Sequence, residues 1–284
     1  MKNRNIIYIT VALVCGIVMP PSFRAEDRIP VAAPMTTDLV GDTAGMAVPS
    51  VFRVLIPSRN SSGTAFLHKS GNLITAAHVV KDATAKDIIL LDVKAQRYAV
   101  RNIVQDADFD LALLFPQDEI SGPSLSITTE DRFTVGMQVS TWGYPGGYNG
   151  LPPLLMSGYL SGIDNVQTDS GKRVVRWVVN AAFNNGNSGG PLVDIANGKI
   201  IGVVSSKLAP LPQDIESALT ALKSVDSGFR FARKSADGKT EKISQSQLLE
   251  HVLQYLRSQT QLVVGYAVPV WDLKKFLKSN SIEP

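Results

Sequence analysis

Cysteine is nearly absent: the 284 residues hold one, Cys15. A disulfide framework is thereby excluded, and so is thiol chemistry in any form that has lost the first residues. A chain of this length does not need such staples to fold. Apolar runs long enough to span a membrane are lacking too. The N-terminal run, Ile6 to Met19, follows Lys2 and Arg4 and stops at Pro20-Pro21. It is shorter than the ~20 residues of a spanning helix and matches the plan of an export signal. Residues 1–25 are expected to be a signal peptide or, if uncleaved, a membrane anchor with 6–19 as the tether. Ala25 is a candidate last residue of the signal, although Phe23 stands where a small residue is preferred. A lipid anchor on Cys15 fits less well, because bulky Val14 precedes it.

Charge imbalance is missing once this segment is set aside. The 28 basic residues include Lys2, Arg4 and Arg24, and 28 less those three leaves 25 against 25 acidic. No basic domain remains to suggest nucleic acid as a partner. What is there is a foldable composition, 44% hydrophobic and 19% charged, with 22 Gly and 16 Pro breaking many short apolar runs. That pattern favours an all-β chain with frequent turns.

Residues 26–47, rich in Pro, Ala, Thr and Asp without a period, read as a tether. Strand patterns start at Val51–Ile56 and continue through Gly63–Leu67, Leu73–Val80, Ile88–Val93, Tyr98–Val100 and Leu111–Leu114. Pro123–Asp131 reads as a connection. The second half holds strand patterns at Gly136–Gly143, Met156–Ile163, Arg173–Asn180, Pro191–Asp194, Ile200–Ser206 and Leu262–Pro269. Trp271–Leu277 has helical spacing. Residues 209–261 interrupt the series with a helix–hairpin–helix pattern. Its second helix starts at a capping box, Ser244 and Gln247, and its hairpin turns at Asp237-Gly238. The basic residues there (Arg230, Arg233, Lys234, Lys239, Lys242) read as a solvated face or as a site for an acidic partner.

Only three histidines are present. His68 lies beside a hairpin turn and His251 in a helical pattern, so both read as surface residues. His78 stands at the end of a strand, where a side chain can leave the core for a cleft. Asp110 leads straight into an apolar run. A carboxylate there needs a donor, and an imidazole N–H is a natural one, although a strand-capping role is the alternative. Asp106 and Asp108 read as solvated turn acids. Ser188 sits in Asn185-Gly186-Asn187-Ser188-Gly189-Gly190-Pro191. Glycines on both sides permit a tight turn whose N–H groups converge beside the hydroxyl, as acyl transfer requires. Alone, that string fits a glycine-rich turn equally well.

Taken together, the order His78, Asp110, Ser188 resembles the trypsin-fold serine proteases, and among them the HtrA/Deg-type group. The resemblance rests on Thr75-Ala76-Ala77-His78-Val79-Val80, Asp110-Leu111-Ala112-Leu113-Leu114, Trp142-Gly143-Tyr144-Pro145-Gly146, Gly186-Asn187-Ser188-Gly189-Gly190-Pro191-Leu192 and Gly265-Tyr266-Ala267-Val268-Pro269. It covers about residues 48–206 and 262–278. It implies two antiparallel six-stranded β-barrels, about 48–122 and about 132–284, within a domain of residues 48–284 that carries a C-terminal helix and the insertion at about 209–261. It further implies His78, Asp110 and Ser188 as a catalytic triad, the N–H groups of Gly186 and Ser188 as the oxyanion hole, and Ser205 as support for the aspartate and the substrate backbone. Polypeptides are then the expected substrates, with no cofactor and no metal. Export to the periplasm or the medium is expected from the N-terminal segment.

Four departures sharpen the resemblance. Asn187 stands where digestive trypsins carry an acid, so ion pairing with a newly cut N-terminus next to Val51 is not expected to switch the site on. Ala182 stands at the pocket base with no acid to select Lys or Arg, and Phe183 and Val203 suggest a small or medium apolar pocket. Lys207 would favour an acidic substrate side chain if it reached that pocket, whereas lysines usually find solvent. A PDZ domain, common in the HtrA/Deg-type group, is not expected. The insertion at 209–261 has no counterpart, and is expected to be a lid, a recruiting surface or a peripheral decoration. The alternative to a working peptidase is a chaperone-like binding module on the same barrels.

Overall fold

In a computed structural model of the chain the described residues are 47–168, 170–205, 213–234, 240–259 and 264–284. The export segment, the tether before Ala47 and Lys207 lie outside them.

Fourteen strands and three complete α-helices are found among the described residues. The first barrel consists of β1 (Val51–Ile56), β2 (Ser61–Leu67), β3 (Leu73–Thr75), β4 (Ile89–Leu91), β5 (Arg97–Asp106) and β6 (Leu111–Pro116). It closes antiparallel in the order β1-β2-β3-β6-β5-β4. The second contains β7 (Gln138–Gly143), β8 (Leu154–Gln167), β9 (Arg173–Asn180), β10 (Pro191–Asp194), β11 (Ile200–Val204) and β14 (Gly265–Pro269). Its order is β10-β11-β14-β9-β8-β7. Closure leaves no edge strand to be covered. Prolines fall where the ladder tolerates a missing N–H: Pro191 opens β10, and Pro269 ends β14 directly before helix α3 (Val270–Ser279).

Each barrel has its own interior. Phe52, Val54, Leu73 and Leu90 fill the first; Leu160, Val179, Leu192 and Ile201 fill the second. A third and larger cluster runs between them. It joins Val51, Phe66 and Leu111 of the first barrel to Trp142, Val203 and Val268 of the second and to Leu273 and Phe276 of α3. Helix α3 also brings Trp271 against Trp177, with ring centroids 4.8 Å apart in an edge-to-face arrangement. The connection between barrels is itself stitched to the second one: Thr128 N donates to Ile200 O at 3.0 Å, and Ile200 N donates to Ser126 O at 2.8 Å.

The insertion forms helix α1 (Gln213–Ser224), a separate hairpin of β12 (Arg230–Lys234) and β13 (Thr240–Ser244), and helix α2 (Gln245–Gln259). The capping box is present, with Ser244 N donating to Gln247 Oε1 at 2.9 Å and Gln247 N donating to Ser244 Oγ at 3.3 Å. Among the described residues, none from the insertion joins the three barrel clusters.

Two expectations are corrected. The strand read as Leu73–Val80 stops at Thr75, and Ala77–Val79 is a 3-10 turn. The apolar pattern continues across this turn because Ala77, Val79 and Val80 are still buried, while the His78 N–H leaves the ladder to donate to Asp110 Oδ1 at 2.9 Å. His68 is not a surface residue. It is almost fully buried, with Nδ1 held by Ser70 Oγ at 2.9 Å, because the hairpin turn folds its ring inward. His251 is exposed, as expected.

Candidate active site

Strand β3 delivers His78 to the turn at its end, and the turn between β5 and β6 delivers Asp110. His78 Nδ1 lies 2.9 Å from Asp110 Oδ2 and 3.0 Å from Oδ1. Ser205 Oγ, just past β11, donates to the same Oδ2. Asp110 is 3% exposed and has φ of 59°, a left-handed conformation that strains a residue with a side chain. Burial alone would raise its pKa. The hydrogen bonds and charge of His78, with the Ser205 hydroxyl, outweigh burial and hold the carboxyl below the usual range. The group is therefore ionised near neutrality and can only accept. That requires the proton of a neutral His78 on Nδ1 and leaves its Nε2 with a lone pair, the tautomer of a general base.

Ser188 comes from the loop between β9 and β10 and is 4% exposed. Gly186 and Gly189 have φ of 97° and 86°, and a Cβ on Gly189 would strike Thr64 O and Thr75 Oγ1. Only glycine fits that position. The loop is gripped from the first barrel by Thr64 of β2. Thr64 N donates to Ser188 O at 2.9 Å, and Thr64 Oγ1 donates to Gly186 O at 2.6 Å while accepting from Tyr144 N at 3.1 Å. With the Gly186 carbonyl turned toward Thr64, its N–H has no partner among the described residues. Gly189 N donates to Val204 O at 2.7 Å, which ties the far side of the loop to β11.

Residues 63–203 match the family described as the trypsin-like peptidase domain. The chain carries a trypsin-like peptidase domain. Its curated relatives include the serine protease Do-like HtrA of Bacillus subtilis, 30% identical over 60% of this chain and 38% of that protein. The periplasmic serine endoprotease DegP of Escherichia coli is 29% identical over 52% of this chain and 30% of its own length. An uncharacterised protein, y4bJ of Sinorhizobium fredii, is 34% identical over 62% of this chain and 26% of its own. The matches thus span less than two fifths of these relatives. Among solved structures, the Rv3671c protease in its inactive form superposes with a TM-score of 0.56 at 19% identity, over 88% of this chain and 98% of that one. The HtrA-type protease AlgW with a tripeptide gives 0.55 at 21%, over 84% and 64%. At these identities the structures speak for the fold.

Other expected residues of the peptidase domain fall into place unevenly. Asn187 is fully buried and neutral, with Nδ2 donating to Met156 Sδ at 3.0 Å. Phe183 is half-buried, packs with the second barrel's interior and lies against Gly265, where a Cβ would strike its side chain. Ala182 is exposed. Val203, by contrast, is fully buried in the cluster between the barrels and so packs apart from Phe183. Among the described residues no group of three or more His, Cys, Asp or Glu side chains converges as a metal site.

Two contributors escaped the sequence reading. Thr64 looked like one more residue of an apolar strand, and its partners lie far along the chain. Arg176 of β9 is the second: it is 5% exposed, and Nη2 donates to the carbonyls of Asp108 and Phe109, each at 3.2 Å. Its signal was legible. A cation between Val174-Val175 and Trp177-Val178-Val179 must have buried partners.

Proposed function

We propose that the domain is a serine endopeptidase acting on polypeptides through His78, Asp110 and Ser188. The observation that carries this reading is the ionised Asp110 held against His78 Nδ1 and Ser205, with Ser188 on a glycine loop whose Gly186 N–H has no partner among the described residues. Ser188 Oγ attacks the peptide carbonyl carbon while His78 Nε2 takes the hydroxyl proton. The oxyanion accepts hydrogen bonds from the N–H groups of Gly186 and Ser188. His78 then gives its proton to the leaving amine as the C–N bond breaks, leaving an acyl ester on Ser188. Water repeats the sequence and releases the acid. Asp110 holds the tautomer and stabilises the imidazolium throughout.

The neutral, buried Asn187 supports control that does not use a new N-terminus at Val51. Ala182 and Phe183 favour small or medium apolar side chains of substrate. The N-terminal segment and relatives named periplasmic favour export, and we assign the insertion to a lid or recruiting role over the barrels' cleft. Labelling of purified protein with a fluorophosphonate tests the chemistry. We expect wild type to be labelled and Ser188→Ala not. Labelling that is absent, or that survives in the variant, would instead favour a binding module.

A further inference from the structure

Asp110 is in barrel one, Ser188 in barrel two, and a triad works only if the two keep register. The turn that carries Asp110 is held from both sides. Within the first barrel, Asp106 Oδ1 accepts the N–H groups of Asp108 and Phe109 at 3.0 and 3.1 Å. The second barrel holds the opposite side. Arg176 Nη1 donates to its own strand at Val175 O, 3.1 Å away, and Nη2 donates to Asp108 O and Phe109 O. From the β8–β9 hairpin, Ser170 Oγ and Thr168 Oγ1 donate to Asp108 Oδ1 at 2.6 and 3.3 Å. Lys172 Nζ approaches Asp108 Oδ2 at 3.8 Å and sits 4.0 Å from the centre of the Phe109 ring.

A guanidinium so deeply buried needs compensation. Its surroundings supply it through the two carbonyls and through the carboxylates of Asp110, Asp272 and Asp106, whose charges oppose the lowering of its pKa by burial. The Phe109 carbonyl belongs to the planar peptide that ends at the Asp110 nitrogen. Fixing that oxygen on a rigid, forked donor fixes the peptide plane that forms one side of the strained Asp110 φ, and so the frame from which the carboxylate is turned to His78. We infer that Arg176 is a positioning residue for Asp110, by which the barrel that carries Ser188 sets the orientation of the carboxylate across the cleft. This rests on the peptidase reading above and goes further, since it gives a strand residue outside the cleft a part in the rate.

The test uses the full chain and two readouts. One is the rate of fluorophosphonate acylation and kcat for a peptide substrate, normalised to folded protein. The other, in the Ser188→Ala background, is the low-field proton resonance of His78 Nδ1–H, which needs no turnover. Arg176→Met should lower acylation and kcat by about 10- to 100-fold with KM unchanged, and should shift or broaden the resonance. Arg176→Lys, which keeps one compact cationic donor, should recover part of both. If Arg176→Met does not fold, Thr168→Val with Ser170→Ala should give a smaller loss of the same kind, several-fold in kcat with KM unchanged. Folded variants with wild-type rates and an unmoved resonance would overturn the inference. Should wild type fail to label while the resonance still responds to Arg176, the peptidase reading falls and the positioning role stands.

Discussion

Thr64→Val replaces a buried hydroxyl by a methyl of the same shape and leaves the backbone N–H to Ser188 O in place. The change orphans Gly186 O and Tyr144 N, both bonded to Thr64 Oγ1 at 2.6 and 3.1 Å. A buried group left unsatisfied costs about 1–3 kcal/mol, so the pair should lose about 2–6 kcal/mol. In a domain of this size each kcal/mol moves the midpoint by about 2–4 °C, which predicts a fall of roughly 5–20 °C. The carbonyl that lets go belongs to Gly186, whose N–H is proposed above as an oxyanion donor. Loss of one such donor typically lowers the rate by about 10²–10³, and a donor displaced but not removed should cost about tenfold or more in acylation. The assay pairs thermal melting with fluorophosphonate labelling per folded molecule. Thr64→Ser, which keeps both hydrogen bonds, should stay within about 1 kcal/mol of wild type for the lost methyl. If Thr64→Val melts within about 2 °C of wild type and labels at the wild-type rate, the hydroxyl does not hold the loop and the reasoning is wrong.

Two further outcomes are expected. Burial, and then Lys69, hold the His68 pKa down to about 4, against about 6.5 when unfolded. The neutral form is therefore favoured in the fold, and its contribution is complete above pH ~6.5 and lost as pH falls toward ~4, up to about 3 kcal/mol. Melting at pH 7.5 and 4.5 should show a larger fall for wild type than for His68→Leu; equal falls would refute it. Replacing residues 211–259 by a short Gly-Ser linker should leave barrel melting and labelling intact, since no described residue of the insertion joins the barrel cores. It should change cleavage of a protein substrate, and unchanged cleavage would remove the lid or recruiting role.

The barrels, and the residues of the candidate site, could be picked out because their signals are local. Short apolar runs broken by Gly and Pro predict strands, and His78, Asp110 and Ser188 each sit in a distinctive string at a strand edge. Strand ends were less legible: β5 runs from Arg97 to Asp106, yet only Tyr98–Val100 looked like a strand, because Arg101-Asn102 and Gln105-Asp106 leave only Ile103 and Val104 apolar in its half-exposed remainder. Residues whose roles depend on distant partners were hardest. Thr64 meets Gly186 across the barrels and Arg176 meets Phe109; the apolar neighbours of Arg176 mark a buried cation, but neither residue's partner leaves a trace in local spacing. His68 was misread for the same reason, since only the fold decides whether a turn residue points in or out.

The hydrophobic cluster between the barrels also sets the order in which the molecule becomes competent. A chain that has left the ribosome as far as Ser188 already holds all three side chains in sequence. It still lacks Ser205 for Asp110, Val268 of β14, and Leu273 and Phe276 of α3, which close the apolar seam. Domains fold as units once their sequence is available. Here the two halves share one seam that α3 completes, so the two barrels are expected to hold the candidate site in register only once the chain has been made as far as Phe276.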